Sequence, residues 1–192
     1  MPERSVPDAV HDVAALILSA RANDEDAFTE LYRMTVRQLY RYVSVRISGA
    51  EDVEEVTQEV YMAAVTGIQG LRAGDEAGLY GWLYQIARNK VADHLRRRYR
   101  RPVEPLDDTL PLADPDPTPE DIAEVEAERA LVRSALDQLT PDQREVLLCK
   151  YVMDYSNDQT ARQVGKNVNS VNQLHHRALA SLARLLGGGQ RT

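Results

Sequence analysis

GWLYQIARNKVADHLRRRYRR, residues Gly81 to Arg101, has the spacing of a single amphipathic helix. Trp82, Leu83, Ile86, Ala87, Val91, Ala92 and Leu95 recur at three- and four-residue intervals and give it an apolar stripe. The other side is basic: Arg88, Lys90, Arg96, Arg97, Arg98, Arg100 and Arg101 stand against one acidic residue, Asp93, with Asn89 among them. Such a helix packs on a core by one face and offers cations on the other. Phosphates are attracted to that face, and an amide at its middle can pair with a base edge. A basic face that only keeps a helix solvated has the same pattern. The neighbouring segments must discriminate.

Upstream, Val10, Val13, Ala14, Ile17 and Leu18 predict a short amphipathic helix ending near Asn23, after a frayed start over residues 1–7. Asn23-Asp24-Glu25-Asp26 then opens a second helix, its carboxylates set against the positive helix end. This helix directs Phe28, Leu31, Tyr32, Leu39, Tyr40 and Val43 inward and closes at Ser48-Gly49. A third helix spans Glu51 to Val65, with Val53, Val56, Val60, Ala63 and Ala64 as its stripe. Glu54, Glu55, Gln58 and Glu59 form its outer face, which by itself reads as solvation. Gly67, Gly70, Gly74 and Gly78 mark a loop leading into the basic helix, either a ligand-holding loop or a plain connection.

Beyond Arg101 the composition changes. From Glu104 to Glu128 there are ten acidic residues and no Lys or Arg, with prolines at 105, 111, 115, 117 and 119. So few large apolar residues cannot offset the entropy of ordering, which predicts a flexible linker with helix regained over Ile122 to Arg133. The block also explains the net charge of −7, since the rest of the chain sums to +3. Thr140-Pro141-Asp142-Gln143 is a capping box with proline at the first helical position. Val146, Leu147 and Met153 follow as core, then a short helix from Ser156 to Val164 and a break at Gly165-Lys166-Asn167. A longer helix follows, turning Val171, Leu174, Ala178, Leu182 and Leu185 inward. Two helices about a tight glycine turn fit a helix-turn-helix, and equally a plain helical hairpin. No segment alternates as a strand. The expected fold is all-α: two small helical domains, 8–101 and 129–186, joined by an acidic linker, 102–128.

Several functions are excluded by what the sequence lacks. No apolar run approaches the ~20 residues that span a bilayer, so no membrane insertion is expected. The single cysteine, Cys149, forbids an internal disulfide and points to a reducing cytoplasm; its position on an apolar stripe makes it core rather than nucleophile. The histidines at 11, 94, 175 and 176 have no zinc-ligand spacing. Adjacent His175 and His176 point to different sides of their helix, one packed and one free to face DNA. The glycines after Gly67 lack the spacing of a phosphate-binding loop. Neither enzyme chemistry nor any cofactor or metal is expected.

In this order the parts resemble the extracytoplasmic-function sigma factors of bacterial RNA polymerase, over about residues 24–101 and 130–186. Glu54-Glu55-Val56-Thr57-Gln58-Glu59-Val60-Tyr61 is similar to the family's polymerase-clamp-binding helix. Trp82-Leu83 with Ile86-Ala87-Arg88-Asn89 resembles the family's Trp-Leu-x-x-Ile-Ala-Arg-Asn run, and Leu139-Thr-Pro-x-Gln-Arg-Glu-Val-Leu147 its second-domain box. The resemblance implies core-polymerase contacts by Glu54, Glu55, Gln58 and Glu59. It implies −10 promoter contacts by Arg88, Asn89, Lys90, Asp93, Arg96, Arg97, Arg98 and Arg100, and a flipped-base pocket formed by Asn89 with the loop from Gln69 to Ala77. It implies −35 contacts by Lys166, Asn169, Ser170, Asn172, Gln173, His176 and Arg177. The implied partners are core RNA polymerase, promoter DNA and an anti-sigma factor. The implied path of the acidic linker is a basic channel near the polymerase active centre. Trp82 could serve as a stacking platform, but its place on the apolar stripe makes it core.

Three departures stand out. The family usually has isoleucine at Thr160 and an apolar residue at Lys166, and its Val-Lys-Ser-Arg-Leu-His-Arg run is here Val171-Asn-Gln-Leu-His-His-Arg177. The loss of one Lys and one Arg predicts a weaker phosphate grip, with Asn172 and Gln173 favouring adenine. Polar Thr160 and His175 near the core predict a less stable second domain. Two rivals share these features in part: a dimeric helix-turn-helix operator binder, and an adaptor that occupies polymerase without starting transcription.

Overall fold

A computed structural model describes residues 12–100 and 119–187, the side chains of Arg100 and of residues 119–124 excepted. The expectations for residues 1–11, the stretch 101–118 and the tail after Gly187 lie outside the described residues. Among the described residues eight α-helices run in order: α1 Val13–Arg21, α2 Glu25–Arg46, α3 Ala50–Gly67, α4 Glu76–Arg100, α5 Pro119–Asp137, α6 Pro141–Tyr151, α7 Asn157–Val164 and α8 Val168–Gly187. No strand occurs among the described residues. The all-α expectation holds.

Several helix starts are fixed by a capping carboxylate. Asp12 accepts from Ala14 N at 3.1 Å, and Asp24 from Asp26 N at 3.0 Å and Ala27 N at 3.1 Å, satisfying amides that have no partner within their helices. Asn23, at φ 67°, makes the bend between α1 and α2. The basic helix starts at Glu76, five residues before the expected Gly81, because Asp75 accepts from Gly78 N at 2.8 Å and caps it there. Gly78 therefore lies inside α4 rather than in the loop. A Cβ at this position would collide with the Ala73 Cβ, so only glycine lets residues 73–75 fold back over the new helix.

α1 to α4 form one bundle around Leu31, Leu39, Val43, Val53, Val56, Val60, Ala64, Leu79, Leu83, Ala87 and Val91, all 3% exposed or less. The buried hydroxyls are satisfied: Thr35 donates to the Leu31 carbonyl at 2.7 Å and lies 2.9 Å from the Tyr61 hydroxyl, and Thr57 donates to the Val53 carbonyl at 2.7 Å. Two residues expected inward are exposed. Leu18 faces solvent because α1 docks through Ile17 and Ala20, and Tyr32 lies against the edge of the Tyr61 ring at the bundle surface. Trp82 is half-buried in contact with the core, in keeping with a packing role.

The second group, α6 to α8, is closed by Val146, Ala161 and Val171. Thr140 and Gln143 make the expected capping box, and Ser156 with Gln159 makes a second one at α7. Gly165, at φ 66°, ends α7 in the left-handed conformation and sets the turn into α8. Helix α5 begins at Pro119, inside the segment expected as linker, and touches both α8 and α2. The two groups are not separate in space. Leu136, Leu148, Cys149, Met153 and Tyr155 belong to the same continuous core as the first bundle.

Candidate nucleic-acid interface

The site is built on α3 and α4, which pack side by side. Burying Leu83, Ala87 and Val91 turns the intervening positions outward: Arg88, Asn89, Arg96 and Arg97 are exposed, and Lys90 and Arg98 partly so. Likewise, burying Val53, Val56, Thr57 and Val60 exposes Glu54, Glu55 and Gln58. The acidic and basic faces meet at Glu59, which lies 3.2 Å from Lys90 Nζ and 3.2 Å from Arg97 Nη2. Burial works to raise the Glu59 pKa, but Lys90 and Arg97 outweigh it and hold the carboxyl below its ordinary value. Gln58, Glu59, Met62 and Lys90 line an open cleft of about 610 Å³ along this seam.

The remaining cations are fixed in orientation. Arg96 pairs with Asp93 at 2.7 Å, and Arg98 donates to the Ser48 hydroxyl at 3.0 Å and approaches Asp52 at 3.7 Å. Arg88 pairs with Glu145 of α6 at 3.6 Å. The side chain of Arg100 lies outside the described residues. Asp52 and Glu145 were not singled out by sequence. A carboxylate on one helix carries no sequence mark of the arginine it meets on another.

On α8, Asn169, Gln173, His176 and Arg177 are exposed on one side of the helix. The other candidates are engaged. Lys166 pairs with Asp142 at 2.8 Å, so a salt bridge occupies the turn position where an apolar residue was expected. Asn172 accepts from the Asn157 amide at 2.9 Å, which ties it to α7. Ser170 N donates to the Asn167 side chain at 2.8 Å at the helix start. His175 lies 2.9 Å from the Tyr151 hydroxyl while His176 faces out, the division expected of the adjacent pair. Burial, then Lys150, then His176 lower the His175 pKa. Thr160 is fully buried, and its hydroxyl has no hydrogen-bond partner among the described residues.

The described residues contain no group of three or more His, Cys, Asp or Glu able to hold a metal ion, and no helix among them is long and apolar enough to cross a membrane. Burial pushes the Cys149 thiol up to about 12, which keeps it protonated and unreactive at neutral pH.

Comparison with known proteins places these faces in a family. Residues 31–101 match Sigma-70 region 2, and residues 129–182 match Sigma-70, region 4. The chain is 34% identical over 174 residues to the ECF RNA polymerase sigma factor SigM of Mycobacterium tuberculosis, covering 91% of this chain and 84% of that one. It is 32% identical over 171 residues to the ECF RNA polymerase sigma factor BldN of Streptomyces coelicolor, covering 89% of this chain and 64% of the longer relative. Among solved structures, CnrH in complex with the cytosolic domain of CnrY shares the fold at a TM-score of 0.70 and 23% identity, over 92% of this chain and 98% of that one. RpoE of Bartonella quintana, solved with the anti-sigma factor NepR, shares it at 0.59 and 21%, over 83% and 96%. With both sigma-70 regions matched in order and SigM aligned over nearly the whole chain, this protein belongs to the extracytoplasmic-function sigma factors of RNA polymerase.

Proposed function

We propose that this chain binds core RNA polymerase through Glu54, Glu55, Gln58 and Glu59, and directs it to promoters with α4 at the −10 element and α8 at the −35 element. It acts in the cytoplasm without catalysing a reaction itself, and an anti-sigma factor controls it. One observation carries this reading: α4 buries its apolar stripe and holds Arg88, Asn89, Arg96 and Arg97 at the surface, directly beside the acidic face of α3. Lys90 and Arg98 add to the same cationic face. Arginines there would neutralise phosphates, and Asn89 with the loop before α4 would receive a base taken out of the stack, at a cost of a few kcal/mol that the captured base must offset. One solved structure of the same fold, RpoE of Bartonella quintana, holds a partner named as an anti-sigma factor, which supports the regulatory part.

Transcription from a promoter library with purified core polymerase tests the whole reading. Sequence-selective transcripts are expected, and Gln58→Ala should abolish them by weakening polymerase binding. Arg96→Ala/Arg97→Ala should abolish them with polymerase binding intact. A chain that binds duplex promoter DNA tightly without polymerase would instead be an operator binder.

A further inference from the structure

Asn172, at the edge of the exposed face of α8, is not free to turn its amide. On the helix surface it neighbours Asn169 and His176, three residues before and four after it, and both are exposed. Its carbonyl oxygen accepts from the Asn157 amide of α7 at 2.9 Å, and the Asn157 oxygen accepts in turn from Lys150 Nζ at 2.8 Å. The three side chains form a row from the end of α6, across the first residue of α7, to α8. All three are half-buried, which shields the row from competing water. Its sense is set at the first member. An ammonium has donors only, so it draws the oxygen of Asn157 towards itself and leaves the NH2 group of that amide for Asn172. Asn172 must answer with its own oxygen, and its NH2 group is what remains for a ligand. Gln173, exposed beside it, has no such partner among the described residues.

The purines give this orientation a chemical consequence. In the major groove guanine and adenine both offer N7 as an acceptor and differ at position 6, where guanine has an acceptor oxygen and adenine a donor NH2 group. An amide free to turn reads adenine by matching both ends. One whose oxygen is held inward offers donors alone, which match guanine and clash with the NH2 group of adenine. We propose that Asn157 is a positioning residue for promoter specificity: with Lys150 it polarises Asn172, so that this position of the −35 helix selects guanine over adenine. The inference rests on the sigma-factor reading given above. It reverses the adenine preference expected of Asn172 from its residue type alone and leaves that of Gln173 in place.

Asn157→Asp tests the inference, because it exchanges one group and scarcely alters the shape. One carboxylate oxygen still meets Lys150, and the other faces Asn172 as an acceptor where a donor stood. Asn172 should turn over, direct its NH2 group inward and show its oxygen to the base. A carboxylate at the first position of α7 also suits the positive end of that helix, so the fold is kept. The readout is transcription with purified core polymerase from a library randomised across the −35 element. Asn172→Ala, compared with the parent, identifies the base position that Asn172 reads. There the parent should favour guanine about tenfold over adenine, within the discrimination that a good side-chain–base pair provides, and Asn157→Asp should favour adenine. A parent that favours adenine or neither purine at that position, or an Asn172→Ala profile unchanged at every position, overturns the inference. An Asn157→Asp profile identical to that of the parent overturns it too, since a residue that only supports the fold changes the yield without exchanging the preferred base. These results leave the sigma-factor reading standing. Absence of any sequence-selective transcript from the parent overturns that reading and the inference with it.

Discussion

At the level of single residues, the second domain carries two polar groups in positions that suit apolar ones. The buried Thr160 hydroxyl lacks a partner among the described residues, and leaving such a group unsatisfied costs ~1–3 kcal/mol. Thr160→Val keeps the shape and removes the hydroxyl, so chemical denaturation should show a gain of about 1 kcal/mol. His175 gives a pH dependence. Its folded pKa lies below the ordinary ~6.5, so its contribution to stability is fully present above that value. It is lost as pH falls through 6.5 towards the folded pKa, because the unfolded chain takes up the proton first. Melting of His175→Leu should be flatter between about pH 7 and pH 5 than that of the parent. Both positions were legible as departures from a family pattern. The partner of His175, Tyr151, was not, since it is supplied by a neighbouring helix.

Among the helices and their joints, the short-range rules served best. The Thr140 box and the break at Gly165 follow from local residue order, because a capping side chain and its amide are three residues apart. The start of α4 did not follow. Glycines at 74 and 78 look alike in sequence, yet one is in open space and the other lies under the chain that precedes it. Gly78→Ala should force residues 73–75 away and cost ~1–3 kcal/mol, read as a lower denaturation midpoint. Promoter opening should suffer with it, because the displaced loop is the proposed base pocket. Arg144 shows a second kind of hidden role. Within the box it looked like part of a motif, but it donates to the carbonyls of Leu136 at 2.7 Å and Asp137 at 2.9 Å, closing the end of α5. Arg144→Ala should cost about 1 kcal/mol by the same denaturation assay, without altering polymerase binding.

For the molecule as a whole, charge is distributed to opposite purposes. An acidic block between two helical groups leaves the net charge at −7 while the rest of the chain is positive. Changing Glu104, Asp107, Asp108, Asp114 and Asp116 to their amides should raise binding to random duplex DNA at low salt, measured by anisotropy. The difference should fade as salt shortens the ~10 Å screening length that applies near 0.1 M. Composition and order were enough to anticipate two helical groups and their faces. The packing of one group on the other was not foreseeable, because nothing in the order of residues says that Arg88, read as a DNA contact, and Glu145, read as part of a box, would meet until the helices are placed.

The single tryptophan has a practical consequence. Trp82 lies on α4, its ring 3.4 Å from where a Cβ on Gly67 would sit, and none of the chain after it contains another. Light absorbed by tryptophan alone therefore reports the α3–α4 seam, whereas circular dichroism counts every helix. If the two melting curves coincide, both helical groups unfold as one cooperative unit. If they part, one unlabelled sample gives the separate stability of each, so the protein carries its own spectroscopic label.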